Sequence, residues 1–392
     1  MPQDFAPSPG VRSWLFGLLM TVLCLPVLNH VFGFVESPPL KGDVRLAADT
    51  NFTPAGWLSG AYQQKKEAYL NDHTGFRADL VRFNNQLDYT LFTQFHAKNV
   101  VQGKNGYLYE GGYIDALYGR DYVGDSALAS QLSRLRYIQD TLRRAGKQLI
   151  LALAPSKARF YPEYIPDSMK PAQPVAKTNY TEIRRRSLEL GIELIDFNAW
   201  YLTQKSKYPG KLFSKGGTHW SYFGADLAAD TFHRQLEALL GIDMPDMNIV
   251  RTECDQPARE SDKDIVTALN LIWPLTEDRM CYNVLDFSVD SANKQKPDMV
   301  FISDSFFWLW MYDYIPQNAY NHWQAWFYFA EAWGGTREDQ FLTGTSLRTL
   351  DWMDEINKAD AVVLLFTEAN LSRLGAGFID AAYEKLQPAA RR

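Results

Sequence analysis

The chain has 392 residues, 46% of them hydrophobic and 22% charged, with 14% aromatic residues and a formal net charge of −6. That is the composition of a globular protein and excludes a disordered chain or a polytopic membrane protein. The acidic balance offers no basic face for nucleic acid, so a nucleic-acid partner is excluded as well.

At the N-terminus, residues 14–35 (WLFGLLMTVLCLPVLNHVFGFV) contain no Asp, Glu, Lys or Arg. About 20 mostly apolar residues suffice to cross a bilayer core. No small-residue cleavage site follows, so the segment reads as an uncleaved signal anchor. Arg12 precedes it and puts the tail, within residues 1–35, in the cytoplasm, with everything after it outside. Residues 36–60 are rich in Pro, Gly and small side chains and read as a linker, leaving 61–392 as one large domain.

Within that domain strand and helix patterns alternate. Residues 127–145 read as an amphipathic helix stopped at Gly146, and 148–154 (QLILALA) as a buried strand closed by Pro155. A helix over 179–190, stopped at Gly191, leads into the short run 192–197 (IELIDF). A second long helix covers 220–240, and two further buried strands cover 298–303 (DMVFIS) and 361–366 (AVVLLF). The alternation predicts an α/β fold of three layers, α/β/α, around a mostly parallel sheet. Ligands bind such sheets at the carboxyl ends of the strands. The loops to read for chemistry are therefore 155–161, 196–200, 303–308 and 367–371.

Two of the signals pair a nucleophile with a base. Ser305, in Ser303-Asp304-Ser305-Phe306, directly follows a buried strand and so carries its hydroxyl to the sheet edge. His219, in Gly216-Gly217-Thr218-His219-Trp220-Ser221, lies in a glycine-rich loop ahead of a helix. A serine hydroxyl needs a base to take its proton, and His is the usual one near neutral pH. Ser and Asp are also good helix caps, so each motif has a plain structural reading beside the chemical one. No GxSxG, GxGxxG, P-loop or HExxH pattern occurs, which disfavours nucleotide or metal enzymes and leaves no cofactor or metal to expect. Cys254 and Cys281 can form a disulfide if the domain is extracytoplasmic, while Cys24 lies in the anchor.

Three stretches carry a family resemblance: Asn71-Asp72-His73-Thr74-Gly75-Phe76-Arg77 followed by Gly103-Lys104-Asn105-Gly106-Tyr107; Thr218-His219-Trp220-Ser221 with Gly224-Ala225; and Asp304-Ser305-Phe306. In that order they resemble the alginate O-acetyltransferase group of AlgJ- and AlgX-like proteins, which have SGNH-hydrolase-like domains. The resemblance implies a polysaccharide O-acetyltransferase with Ser305 as nucleophile and His219 as base. It also implies a polysaccharide substrate, an integral membrane acyltransferase partner that supplies the acyl group, and an inner-membrane anchor with the domain in the periplasm. The family pattern has an Asp two residues before the His, where this chain has Gly217, and a Gly where it has Ser303. The orienting acid must then come from elsewhere. Asp304 and Asp196 are the candidates, with Glu368 and Asn370 behind them. Lys157, Trp220 and Asn370 are candidate substrate-binding residues. A glycan acetylesterase, or a catalytically degenerate polysaccharide-binding or scaffold protein, is the alternative reading.

Overall fold

The computed structural model describes residues 9–42, 44–288, 293–335 and 341–387. The chain forms two compact units, one of residues 1–98 with 266–275, the other of 99–265 with 276–392.

In the first unit, the helix Pro9–Phe32 contains a 23-residue stretch of mean hydropathy 2.0, with its apolar side chains exposed. It is long and apolar enough to cross a membrane. Residues 36–60, expected as a linker, contain the short helix Pro54–Leu58, started by Thr53, whose hydroxyl accepts from Gly56 N. Their backbone is also tied down: Arg82 donates to the carbonyls of Pro38 and Pro39, and Asn270 bonds both ways with Lys41. Two helices, Ala61–His73 and Arg77–Phe92, complete the unit, so the sheet-bearing unit begins well after residue 61. His73 and Arg77 lie at the ends of these helices.

The second unit opens with a small hairpin, β1 (Val100–Gln102) and β2 (Leu108–Glu110). Its sheet contains β3 (Gln148–Ala154) and β4 (Leu194–Asp196). The antiparallel ribbon β5 (Asn248–Pro257) and β6 (Arg279–Asp286) stands apart from that sheet, its strands joined by the Cys254–Cys281 disulfide. The sheet resumes with β7 (Met299–Ser303), β8 (Trp323–Phe327), β9 (Glu331–Gly335), β10 (Phe341–Ser346) and β11 (Ala361–Thr367). Its seven strands run in the order β10-β9-β8-β7-β11-β3-β4, parallel from β8 to β4 and antiparallel at β9 and β10.

The layers follow from the side-chain period of two in a strand. Leu149, Leu151 and Leu153 of β3 join Val362, Leu364 and Phe366 of β11 on one face, under the helices Asp125–Arg144, Asn179–Leu190 and Phe378–Leu386. Ile150, Ala152 and Ala154 join Val363, Leu365 and Phe301 on the other, under Tyr222–Leu240 and Phe307–Tyr312. Both faces are dry, which is why these strands read as unbroken apolar runs. The first of those helices buries Leu128, Leu132, Leu135, Ile138 and Leu142 at helical spacing. The second carries a Thr178–Thr181 capping box and stops at Gly191, whose φ of 65° suits a glycine. The predicted three-layer α/β/α fold with a mostly parallel sheet is the one observed.

Candidate active site

Three neighbouring parallel strands end at one rim and set the site's coordinates. Register pairs Ser303 of β7 with Leu365 of β11 on one side and Phe327 of β8 on the other. Residues 304–305, 328 and 367–370 therefore emerge side by side. Ser305 sits in the turn after β7, ahead of the six-residue helix Phe307–Tyr312.

His219 arrives on the loop before the helix Tyr222–Leu240, which Ser221 caps through Gly224 N. The loop is pinned from several sides. Gly217 N donates to Ser214 Oγ at 2.8 Å, and Thr218 Oγ1 donates to Glu110 Oε1 at 2.6 Å. The imidazole packs 5.0 Å from the Phe306 ring. Its Nε2 lies 2.9 Å from Ser305 Oγ, and its Nδ1 lies 2.6 Å from Asp264 Oδ2. The two residues that were to converge from sequence positions 86 apart do so within hydrogen-bond reach.

Asp264 is the acid at the imidazole. It starts the helix Asp264–Ala268, in the segment that connects β5 and β6. Its other oxygen accepts from Thr218 N at 2.8 Å and Ile265 N at 2.7 Å, so the carboxylate braces the backbone beside His219 as well as the ring. With Asp264 accepting at Nδ1, the network puts the ring proton there and leaves the Nε2 lone pair facing the Ser305 hydroxyl. Burial, the largest influence on the imidazole, opposes its charge. The hydrogen bond and charge of Asp264, aided by Glu110 and Asp304, outweigh burial and leave the His219 pKa raised.

The expected acids stand elsewhere. Asp304 is fully buried with both oxygens occupied: it accepts from Phe306 N, Thr367 N, Thr367 Oγ1 and Asn370 Nδ2. It fastens the nucleophile's turn to the end of β11 rather than orienting the imidazole. Asp196 caps the helix Phe197–Gln204 through Ala199 N and binds Arg184 and Tyr180. Glu368 is buried against Arg159 in a two-toothed ion pair.

The expected substrate contacts are likewise reassigned for two residues of three. Lys157 is 3% exposed, and its ammonium donates to the carbonyls of Ser214, Lys215 and Gly217. Burial, the largest cause, brings its pKa down to about 7. Lys157 is thus a brace under the His219 loop, out of reach of a ligand. Trp220 is fully buried and donates its indole N–H to Phe306 O at 3.1 Å, joining the two motifs through the core. Asn370 remains at the rim, its amide 2.9 Å from Asp304 Oδ2. His322 bonds Glu355, and His233 is a buried core residue bonded to Tyr320, its pKa lowered to about 4 by burial. Among the described residues, no group of three His, Cys, Asp or Glu side chains is arranged to hold a metal ion.

Sequence reasoning missed Asp264 because an acid two residues before the His was the signal sought. Asp264 lies 45 residues after it, in a segment with no motif of its own. The geometry also explains Gly217. A Cβ there would stand 2.4 Å from Ser261 O and 2.8 Å from Ser214 Oγ, so no side chain fits.

Comparison with known proteins bears on residues 100–294, which match the family described as "SGNH hydrolase-like domain, acetyltransferase AlgX". That span includes His219 and Asp264 and ends before Ser305. Two curated relatives are probable alginate O-acetylases AlgJ. The one from Pseudomonas syringae pv. tomato is 31% identical over 172 residues, 44% of this chain and 42% of the relative. The one from Pseudomonas aeruginosa is 31% identical over 179 residues, 45% of this chain and 42% of the relative. The chain thus matches less than half the length of these relatives. Among solved structures, the O-acetyltransferase domain of Pseudomonas putida AlgJ superposes with a TM-score of 0.47 at 18% identity, covering 73% of this chain and 99% of that one.

Proposed function

We propose that this chain, which carries an SGNH hydrolase-like domain of the AlgX acetyltransferase type over residues 100–294, is a serine-dependent O-acetyltransferase acting on an extracytoplasmic polysaccharide. The observation that carries the reading is the continuous hydrogen-bonded line Ser305 Oγ–His219–Asp264 at the rim of the parallel sheet.

The reaction runs in two halves. Ser305 Oγ attacks the acyl carbonyl carbon of the donor while His219 Nε2 takes the hydroxyl proton. Asp264 holds the Nδ1–H tautomer and stabilises the imidazolium. The bond from acyl carbon to leaving group breaks, and His219 returns its proton to that group. In the second half a sugar hydroxyl gives its proton to His219 and attacks the acyl-serine, and Ser305 recovers its hydroxyl proton as the ester bond breaks. The negative oxygen of each tetrahedral intermediate needs hydrogen-bond donors among the groups at the strand ends beside Ser305.

The apolar helix Pro9–Phe32 supports a single-pass anchor, and the Cys254–Cys281 disulfide supports a domain held in an oxidising compartment such as the periplasm. The names of the relatives support an exopolysaccharide acceptor. An integral membrane acyltransferase that hands over the acyl group completes the scheme, and the anchor keeps the domain beside it. Gly217 was the ground for a non-catalytic reading, and an acid supplied by Asp264 removes that ground.

The test is turnover of an aryl acetate by the purified chain, with and without an oligosaccharide acceptor. Trapped acetyl on Ser305 and loss of turnover in Ser305→Ala are expected, and acetyl transfer rather than release when the acceptor is present. Equal turnover by wild type and Ser305→Ala would sink the reading. Release of acetate unchanged by every acceptor tried would recast the chain as an esterase.

A further inference from the structure

The helix Arg77–Phe92 reverses the usual burial of an amphipathic helix. Its buried side chains are Asn85 and Gln86. Asn85 Nδ2 donates to Leu269 O at 3.0 Å, and Gln86 Oε1 accepts from Trp273 N at 2.9 Å. Arg82 of the same helix donates to the carbonyls of Pro38 and Pro39. Leu80, Phe83, Leu87 and Leu91, by contrast, are 44–61% exposed. They recur every three or four residues and so form one stripe along the helix. A helix ordinarily turns such a stripe inward. Here polar contacts hold the helix to its own unit, and the apolar stripe faces out.

The start of this helix is fixed against the apolar helix Pro9–Phe32. Gly75, in the turn just before it, lies so close that a Cβ there would stand 2.4 Å from Pro26 O and 2.8 Å from His30 N. His30 Nδ1 donates to His73 O at 2.7 Å. The apolar stretch has 23 residues, roughly 34 Å of helix against a bilayer core of about 30 Å. The level of residues 26–30 is therefore close to the lipid–water boundary where the chain leaves the membrane. The motif of residues 71–77, which the active site does not use, forms this junction. Asp72 Oδ1 pairs with Arg77 at 2.9 Å, and Asp72 Oδ2 accepts from Ala47 N at 2.7 Å.

Resting on the reading of Pro9–Phe32 as a single-pass anchor, we propose that the stripe of Leu80, Phe83, Leu87 and Leu91 is a lipid-docking surface, with the helix Arg77–Phe92 lying in the interface of the bilayer that the anchor crosses. Such a helix seats its apolar face about 5–10 Å into the boundary between headgroups and acyl chains. Lipid is the occupant the geometry favours, because the helix begins where the anchor reaches that boundary and its polar side is already taken by its own unit. Two elements rather than one then hold the first unit to the membrane. Residues 71–77 join the spanning helix to the surface helix and limit rocking of that unit about the anchor.

The experiment attaches an environment-sensitive fluorophore to one cysteine of the full chain, in vesicles of phosphatidylethanolamine and phosphatidylglycerol that contain spin-labelled lipid. Wild type is labelled at its own free Cys24 and reports the anchor, Cys254 and Cys281 being bonded to each other. Phe83→Cys and Leu87→Cys, each combined with Cys24→Ser, report the stripe at two independent positions. Lys385→Cys in the same background reports the second unit, and Tm against wild type checks that each variant folds. The stripe probes are expected to lose roughly half of their emission to a spin label near the headgroup end of the acyl chain, the depth of an interfacial helix. The Lys385→Cys probe should lose almost none. Stripe probes that are quenched no more than that control, and that stay open to iodide from the water, overturn the docking. Stripe probes shielded from iodide yet unquenched by lipid place a second copy or another protein on the stripe and overturn it as well. A Cys24 probe that no lipid quencher reaches is instead the failure of the anchor reading, and the two failures are told apart.

Discussion

Asp264 Oδ2 meets His219 Nδ1 at 2.6 Å although the residues lie 45 positions apart, and Asp264 Oδ1 holds Thr218 N of the same loop. One carboxylate thus positions both the ring and its backbone. Replacing it by Asn keeps the shape but favours the wrong tautomer. Asp264→Asn is expected to lower kcat on aryl acetate roughly 10³–10⁴-fold. Asp196→Asn, which alters a helix cap remote from the imidazole, should change stability by about 1 kcal/mol or less and leave kcat within a few-fold. Turnover and urea midpoints of the two variants check this, and equal losses would contradict it.

The pH profile follows from the raised pKa of His219. Only the neutral imidazole accepts the Ser305 proton, so kcat/KM should climb with pH and level off, with a midpoint above the ordinary value of about 6.5. The same shift affects stability with the opposite sense. The contribution of His219 is fully present below its unfolded pKa and is lost as pH rises through the folded one. Asp264→Asn removes the groups' main attraction and should move the activity midpoint toward acid. A rate profile recorded from pH 5 to 9 for both proteins decides it.

Gly217 occupies the place where the resemblance implied an acid, and putting one there should do harm. The Cβ would meet Ser261 O, Ser214 Oγ and the Asp262 carbonyl carbon at 2.4, 2.8 and 2.9 Å, two of them backbone atoms that cannot swing away. Gly217→Asp is expected to destabilise the chain by about 1–3 kcal/mol and to lower turnover. Denaturant unfolding with a parallel esterase assay tests it, and a gain in activity would refute this account of the site.

The disulfide brackets the segment that delivers the acid. Cys254 and Cys281 are separated by 27 residues, and Asp264 lies between them. Loop-closure entropy assigns a crosslink of that span about 3–4 kcal/mol. The double Cys→Ser variant should unfold at correspondingly lower urea, and reductant should lower the Tm of wild type but not of the variant. Identical Tm values with and without reductant would show that the bond is not formed.

Much of the frame was legible from local pattern. The runs 148–154, 298–303 and 361–366 appear as β3, β7 and β11, because strands dry on both faces need unbroken apolar residues. The helix ends at Gly146 and Gly191 were readable too, since both take the left-handed conformation that stops a helix. β8 and β9 were not legible: WQAWF and EAWGG are short and aromatic, with no clear period, and only pairing, of β8 with β7 and of β9 with β8 and β10, makes them strands. Lys157 and Trp220 looked like ligand contacts because their residue types suit sugars. Burial is a property of the folded chain, and it turned one into a loop brace and the other into core.

By itself the sequence determined the layered fold, the apolar helix and the pair Ser305 and His219, because each depends on residues close in the chain or on a short motif. The tertiary structure alone decided which acid completes the line and why Gly217 cannot be anything larger. Those choices depend on distances between segments tens of residues apart, and such distances are settled by packing and strand register, to which no local pattern of residues corresponds.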